Sequence, residues 1–242
     1  MRIYLAGNGH LPFIKDDFTD FYRLESFHYI AKRELPFIGR YNSFLLDSGA
    51  FTFMNKSKTQ INWDAYIEEY AVFINKHKVQ LFFELDIDPI VGIKRVEELR
   101  RKLEKLTDKQ CIPVWHKSRG KEYWLRMIQE YGYVAIGGIA TKEIKTTEYP
   151  FFTWFLNEAT KNNCKVHGLG FTNLKGIERY KFYSVDSTSW ISGNRFGKVY
   201  TFNGRSMDKY NKQPGQRIKT HETAKNNFYE WVRFQKYAET NL

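Results

Sequence analysis

Short apolar runs alternate with longer amphipathic stretches along this chain, and six of the runs stop on polar or glycine-rich residues at the same relative place. Phe44-Leu45-Leu46 ends on Asp47-Ser48-Gly49, and Phe182-Tyr183-Ser184-Val185 ends on Asp186-Ser187. Leu81 to Leu85 leads into Asp86 and Asp88, Cys111 to Trp115 into His116, Tyr133 to Ile136 into Gly137-Gly138, and Lys165-Val166 into His167-Gly168. A carboxylate just past a buried strand is poorly placed for stability, because loss of water disfavours its charged form. In a parallel sheet closed into a barrel, all strand carboxyl ends open on one face, so residues distant in the chain meet around one pocket. The pattern predicts an enzyme of the α/β class.

From Asn62 onward, Trp63, Tyr66, Ile67, Tyr70, Ala71 and Ile74 recur at helical spacing, with Asn62 suited to cap the helix. Further helices carry Ile93, Val96, Leu99, Leu103 and Leu106, then Trp124, Met127, Ile128 and Tyr131, and another spans about Phe151 to Lys161. Leu24, Phe27, His28 and Tyr29 suggest a short helix, as does Thr172 to Tyr180. Eight strands are expected, near residues 3, 45, 83, 113, 135, 167, 184 and 200. Their alternation with helices implies parallel pairing through right-handed crossovers. The expected fold is one (β/α)8 TIM barrel domain over residues 1–242, with an open doubly wound sheet as the alternative. A basic loop at about 203–221 and a C-terminal helix at about 222–238, packing Ala224, Phe228, Trp231 and Val232 onto the barrel, complete it.

Lys and Arg number 38 against 27 Asp and Glu, a net charge of +11 that favours a polyanionic partner, nucleic acid first. The 203–221 segment concentrates that charge in Arg205, Lys209, Lys212, Arg217 and Lys219 around Tyr210, which suits a phosphate backbone or, equally, a solvated surface loop. Only Cys111 and Cys164 are present, so neither a disulfide framework nor a cysteine-rich zinc site is supported, and a reducing cytoplasm fits. No stretch approaches the roughly 18 apolar residues of a membrane span, and Met1 to Gly7 reads as a first strand and not as a signal peptide.

Five segments, in order, resemble the queuine/archaeosine tRNA-guanine transglycosylases, and more closely their short phage relatives that install 7-deazaguanines in DNA. Asp47-Ser48-Gly49-Ala50-Phe51 is similar to that family's Asp-Ser-Gly-Gly-Tyr, Leu85-Asp86-Ile87 to its base-recognition segment, and Gly137-Gly138-Ile139-Ala140 to its Gly-Gly-Leu-Ala loop. Val166-His167-Gly168-Leu169-Gly170 resembles the following strand, with histidine where the family often has methionine, and Val185-Asp186-Ser187 with Ser192 to Gly197 resembles the nucleophile strand and its continuation. The cysteine-rich zinc insert of the tRNA enzymes has no counterpart.

The resemblance implies catalysis by two carboxylates, Asp186 as nucleophile and Asp47 as general acid and base. It implies a base held by Asp86, Phe51, Gly137, Gly138 and Ile139, with no metal and no redox cofactor. The co-substrate would be a free 7-deazaguanine such as preQ0, and the partner DNA, presented single-stranded or with the guanosine flipped out. His116 and His167 are read as lining the base pocket, with a hydrogen bond to backbone as the other reading, and Arg195 as meeting a phosphate. The localisation expected is cytoplasmic, in the host cell if the chain is phage-encoded. Rival readings are the same chemistry on tRNA, a non-catalytic nucleic-acid-binding barrel, and a glycoside hydrolase with two carboxylates.

Overall fold

The computed structural model describes residues 1–7, 18–54, 61–171, 174, 177–191, 196–212, 215, 217 and 219–242. Its main sheet comprises β1 (Arg2–Ala6), β2 (Tyr22–Ser26), β3 (Ser43–Asp47), β4 (Leu81–Phe82), β5 (Val114–Trp115), β6 (Tyr133–Ile136), β7 (Lys165–Gly168) and β8 (Ser184–Ser187). They pair in the order β4-β3-β2-β1-β8-β7-β6-β5, every pair parallel. Around them lie α1 (Ala50–Met54), α2 (Trp63–Lys76), α3 (Asp88–Val91), α4 (Ile93–Thr107), α5 (Gly120–Glu130), α6 (Phe152–Lys161) and α7 (Thr220–Asn241). Asn62 caps α2 as expected, its side chain accepting from the Ala65 N–H at 3.1 Å.

The closed (β/α)8 barrel expected from the strand count is not what forms. The sheet is an open half-barrel curled through 271°, its edges 11 Å apart, with β4 and β5 as the edges. The reason lies at β5. Ile112 still pairs toward β4, its N–H donating to Phe82 O and its carbonyl accepting from Glu84 N–H, but the next N–H on that side, that of Val114, donates to the Glu84 carboxylate at 2.7 Å instead of to a strand carbonyl. One isolated bridge, Phe83 to Ile112, lies between the edge segments.

Charged side chains clamp this seam. Glu84 is wholly buried and accepts from Arg119 Nη1 at 2.8 Å and Arg100 Nη1 at 3.3 Å, while Arg119 grips both oxygens of Asp88 at 2.5 and 2.6 Å. Removing one partner of such a pair strands a buried charge, at a cost of about 3–5 kcal/mol. Arg119→Met is therefore expected to lower the unfolding free energy by about that much, read by urea titration, and a loss below about 1 kcal/mol would show that the clamp does not hold the seam.

Two further expectations need correction. The stretch around Leu24 is the strand β2 and not a helix; Arg23 and Glu25, which look solvent-facing in sequence, are both buried and bond to one another. The strand near 200 lies outside the main sheet. It is β9 (Lys198–Phe202), paired antiparallel with β10 (Met207–Asn211), so part of the expected 203–221 loop is strand. Asn203 shapes the turn between them, its Oδ1 accepting the Arg205 and Ser206 N–H groups. The short helix expected over Thr172–Tyr180 falls partly outside the described residues (172, 173, 175 and 176), and Ile177 to Arg179 form a turn.

The core follows the alternation of each strand. Tyr4, Ala6, Tyr22, Leu24, Leu45, Phe83, Ile112, Val114 and Ala135 fill the concave interior, whereas Ile3, Leu5, Leu46, Val134 and Ile136 face the helices. Helix α7 runs antiparallel to β1: Phe228 meets Trp190, whose indole bonds Ala6 O, while Gln235 reaches Ile3 O and Ala238 O accepts the N-terminal ammonium. Its N-terminal end thus stands on the side where the strands finish. Among the described residues, no helix is long and apolar enough to cross a membrane.

Candidate active site

A cavity of about 490 Å³ opens where the strands finish, within the roughly 300–1,000 Å³ common for small-molecule sites. Each of the eight strands of the main sheet sends at least one residue to it from its carboxyl end: Ala6, Ser26, Asp47, Asp86, His116, Gly137, Leu169 and Asp186. Asp47, Asp86 and Asp186, far apart in sequence, line the same space.

Asp47 ends β3, and the turn after it is built around its side chain. Its Oδ2 accepts the Gly49 N–H at 3.0 Å; Gly49 has φ +84°, and a Cβ there would stand 2.8 Å from His28 Cβ, so glycine is required. From α2, Tyr66 donates to Ser48 O at 2.5 Å and Tyr70 to Leu46 O and Phe83 O, both at 3.2 Å, which fixes the strand end. Burial, and then the negative charges of Asp86 and Asp186 across the cavity, push the Asp47 carboxyl up to about 7.

That displacement has a consequence for folding. The unfolded chain releases the Asp47 proton near the ordinary value of about 3.9, whereas the folded protein holds it to about 7. Stability is therefore lost as pH rises through that window and is level above it. Asp47→Asn removes the effect, so its melting temperature relative to wild type is expected to climb between about pH 4 and pH 7 and then hold, as calorimetry at pH 4, 7 and 8 would read.

Asp186 lies on β8 with both of its hydrogen bonds on one oxygen. Oδ1 accepts the Gly170 N–H at 2.6 Å and faces His167 Nε2 at 3.2 Å, so among the described residues Oδ2 makes no hydrogen bond. Gly170 holds φ +69° in close contact with Ala140, which lets its N–H reach the carboxylate.

Asp86 follows β4 and meets His116, which follows β5, across the seam: His116 Nε2 stands 2.8 Å from Asp86 Oδ2, and Nδ1 3.2 Å from Glu143 Oε2. Burial opposes charge on this ring, but the hydrogen bonds with Asp86 and Glu143 outweigh it and raise His116 to about 10, so it is an imidazolium at neutral pH. The same contact with His116 holds Glu143 below the ordinary carboxylate range. Gly137 leaves the ring its place, since a Cβ there would stand 2.7 Å from His116 Cε1.

Of the residues expected to touch a base, Phe51, Gly137, Gly138, Asp86 and His116 line the cavity. Phe51 is largely exposed, as is Tyr29, which also lines the cavity. Ile139 and His167 are buried and do not line it; His167 lies beneath, against Tyr4 and Phe83. Glu25, Tyr29 and Glu143 escaped sequence reasoning. The first two come from β2 and the turn after it, the stretch read as a helix, and the only signal for Glu143 was its place six residues after Gly137.

The basic residues do not form one patch. Lys212 pairs with Gly197 before β9, and Lys219 precedes α7, so both stand at the mouth end; Lys209 is exposed on β10 and Arg217 is exposed. Arg205 is at the other end of the sheet, in a cleft with Glu178, Lys181, Tyr237 and Leu242. Arg195 lies outside the described residues. Among those residues no group of three His, Cys, Asp or Glu side chains is arranged to hold a metal ion. No family model matches the chain, and neither does any curated protein.

Proposed function

We propose that the protein is a base-exchange transglycosylase that replaces guanine in DNA by a 7-deazaguanine, in the manner of the transglycosylases it resembles. One observation carries the reading: Asp47, Asp86 and Asp186 face a single cavity sized for a base and its sugar. Asp186 attacks C1′ through Oδ2, the oxygen that makes no hydrogen bond among the described residues, forming a sugar ester as the bond to guanine N9 breaks. Asp47, poised near neutrality, protonates the departing base and later takes the N9 proton of the incoming one. Two inversions at C1′ give retention.

Asp86 gives one oxygen to His116, which leaves the other for the adjacent N–H donors of a guanine edge. Phe51, largely exposed, lines the cavity and is the ring on which the base would stack. The anomeric carbon of a stacked nucleotide is out of reach, so the substrate is single-stranded or flipped, and the +11 charge offsets part of that cost through phosphate contacts from Lys212, Arg217 and Lys219.

The test is mass spectrometry of nucleosides from DNA incubated with the protein and free preQ0-type bases, with tRNA in parallel. Deazaguanosine in the DNA digest is expected. Its appearance in tRNA alone would move the acceptor to RNA, and unmodified digests of both would refute base exchange.

A further inference from the structure

Among the described residues, His167 is an ionisable group in contact with Asp186 that the scheme above leaves without a task. It is wholly buried and lies beneath the cavity, with its two nitrogens facing different partners. Nε2 points at Asp186 Oδ1 across 3.2 Å, and Nδ1 stands 2.6 Å from Ser184 Oγ, which is in turn 2.5 Å from the Tyr133 hydroxyl. For a neutral ring one order of protons satisfies every contact: Tyr133 donates to Ser184, Ser184 donates to Nδ1, and the Nε2 proton is given to the carboxylate. The reverse order would set a bare Nε2 lone pair against Asp186.

We propose that His167, its tautomer set by Ser184 and Tyr133, is a positioning residue that speeds release of the sugar from Asp186; this rests on the transglycosylase reading. In the second half-reaction the C1′–Oδ2 bond breaks and its electron pair returns to the Asp186 carboxylate. N9 of the incoming base bonds to C1′ as its proton passes to Asp47. The carboxylate gains negative charge on leaving, and the donors already seated on Oδ1, His167 Nε2–H and Gly170 N–H, stabilise that charge. In the first half-reaction they meet a carboxylate that is already charged, so they help little there. The relay thus favours breakdown of the ester over its accumulation.

Single-turnover kinetics with intact-mass detection of the protein–DNA adduct tests this. His167→Met, which cannot donate, is expected to slow ester breakdown about 10- to 100-fold and to raise the adduct fraction during turnover, with guanine release much less affected. His167→Gln, whose amide nitrogen falls near the Nε2 position, is expected to recover most of the loss. Equal slowing of both steps in His167→Met, or an unchanged adduct fraction, overturns the proposal. A second measurement needs no reaction: nitrogen-15 spectra of histidine in the resting wild-type protein are expected to show His167 protonated on Nε2 and bare on Nδ1. A proton on Nδ1 with Nε2 bare overturns the relay, whereas absence of guanine exchange by the wild type would count against the parent reading instead.

Discussion

Asp186→Ala is expected to lower guanine exchange by about a thousandfold or more while DNA binding stays within a few-fold of wild type, because the variant loses the carboxylate proposed to form the sugar ester. The comparison with Asp186→Asn sharpens it. Asparagine keeps the shape and an oxygen for the Gly170 and His167 donors, whereas alanine leaves both without an acceptor, at about 1–3 kcal/mol of stability. Both variants should be equally inactive, and only the alanine variant should melt early. Labelled-guanine incorporation, gel-shift titration and calorimetry read the three quantities. Retained exchange in Asp186→Asn would remove the covalent step.

The second large effect is on Asp47 and is read as a pH profile. In the proposed reaction Asp47 is the acid for guanine departure and must carry its proton, and burial with the facing carboxylates holds that proton to about 7. Single-turnover guanine release should therefore be level below that value and fall tenfold per pH unit above it. Asp47→Asn should reduce the step by about 10²- to 10⁴-fold and flatten the alkaline limb. A rate that instead rises through pH 7 would make Asp47 a base in that step. The same burial that makes Asp47 useful is what costs stability above its titration, so the inactive amide variant is expected to be the more stable protein at pH 8.

Much of the site could be read from the chain because strand ends are local features. Asp47, Asp86, His116, Gly137, Gly138 and Asp186 each follow an apolar run, and a parallel sheet necessarily gathers such positions at one mouth. That the sheet stays open was not legible, since it turns on a single side chain, Glu84, taking the Val114 N–H. Nor was β2, in which Arg23 and Glu25 satisfy one another in the interior and so mimic an exposed face. Composition marked the basic segment but carried no direction, and the β9–β10 hairpin sends Arg205 to the far end of the sheet from Lys212. The His167 relay depends on lateral neighbours from β6 and β8, which no one-dimensional spacing reveals.

The convergence of Asp47 and Asp186 on one anomeric carbon is tested most directly by rapid acid quench of the protein with guanine-containing single-stranded DNA, followed by peptide mapping of the adduct. The expected result is a nucleotide-sized ester on the peptide carrying Asp186, absent from Asp186→Asn and lost again when free base is added before the quench. Guanine exchange proceeding with no adduct, or with the adduct on any other residue, would contradict the account.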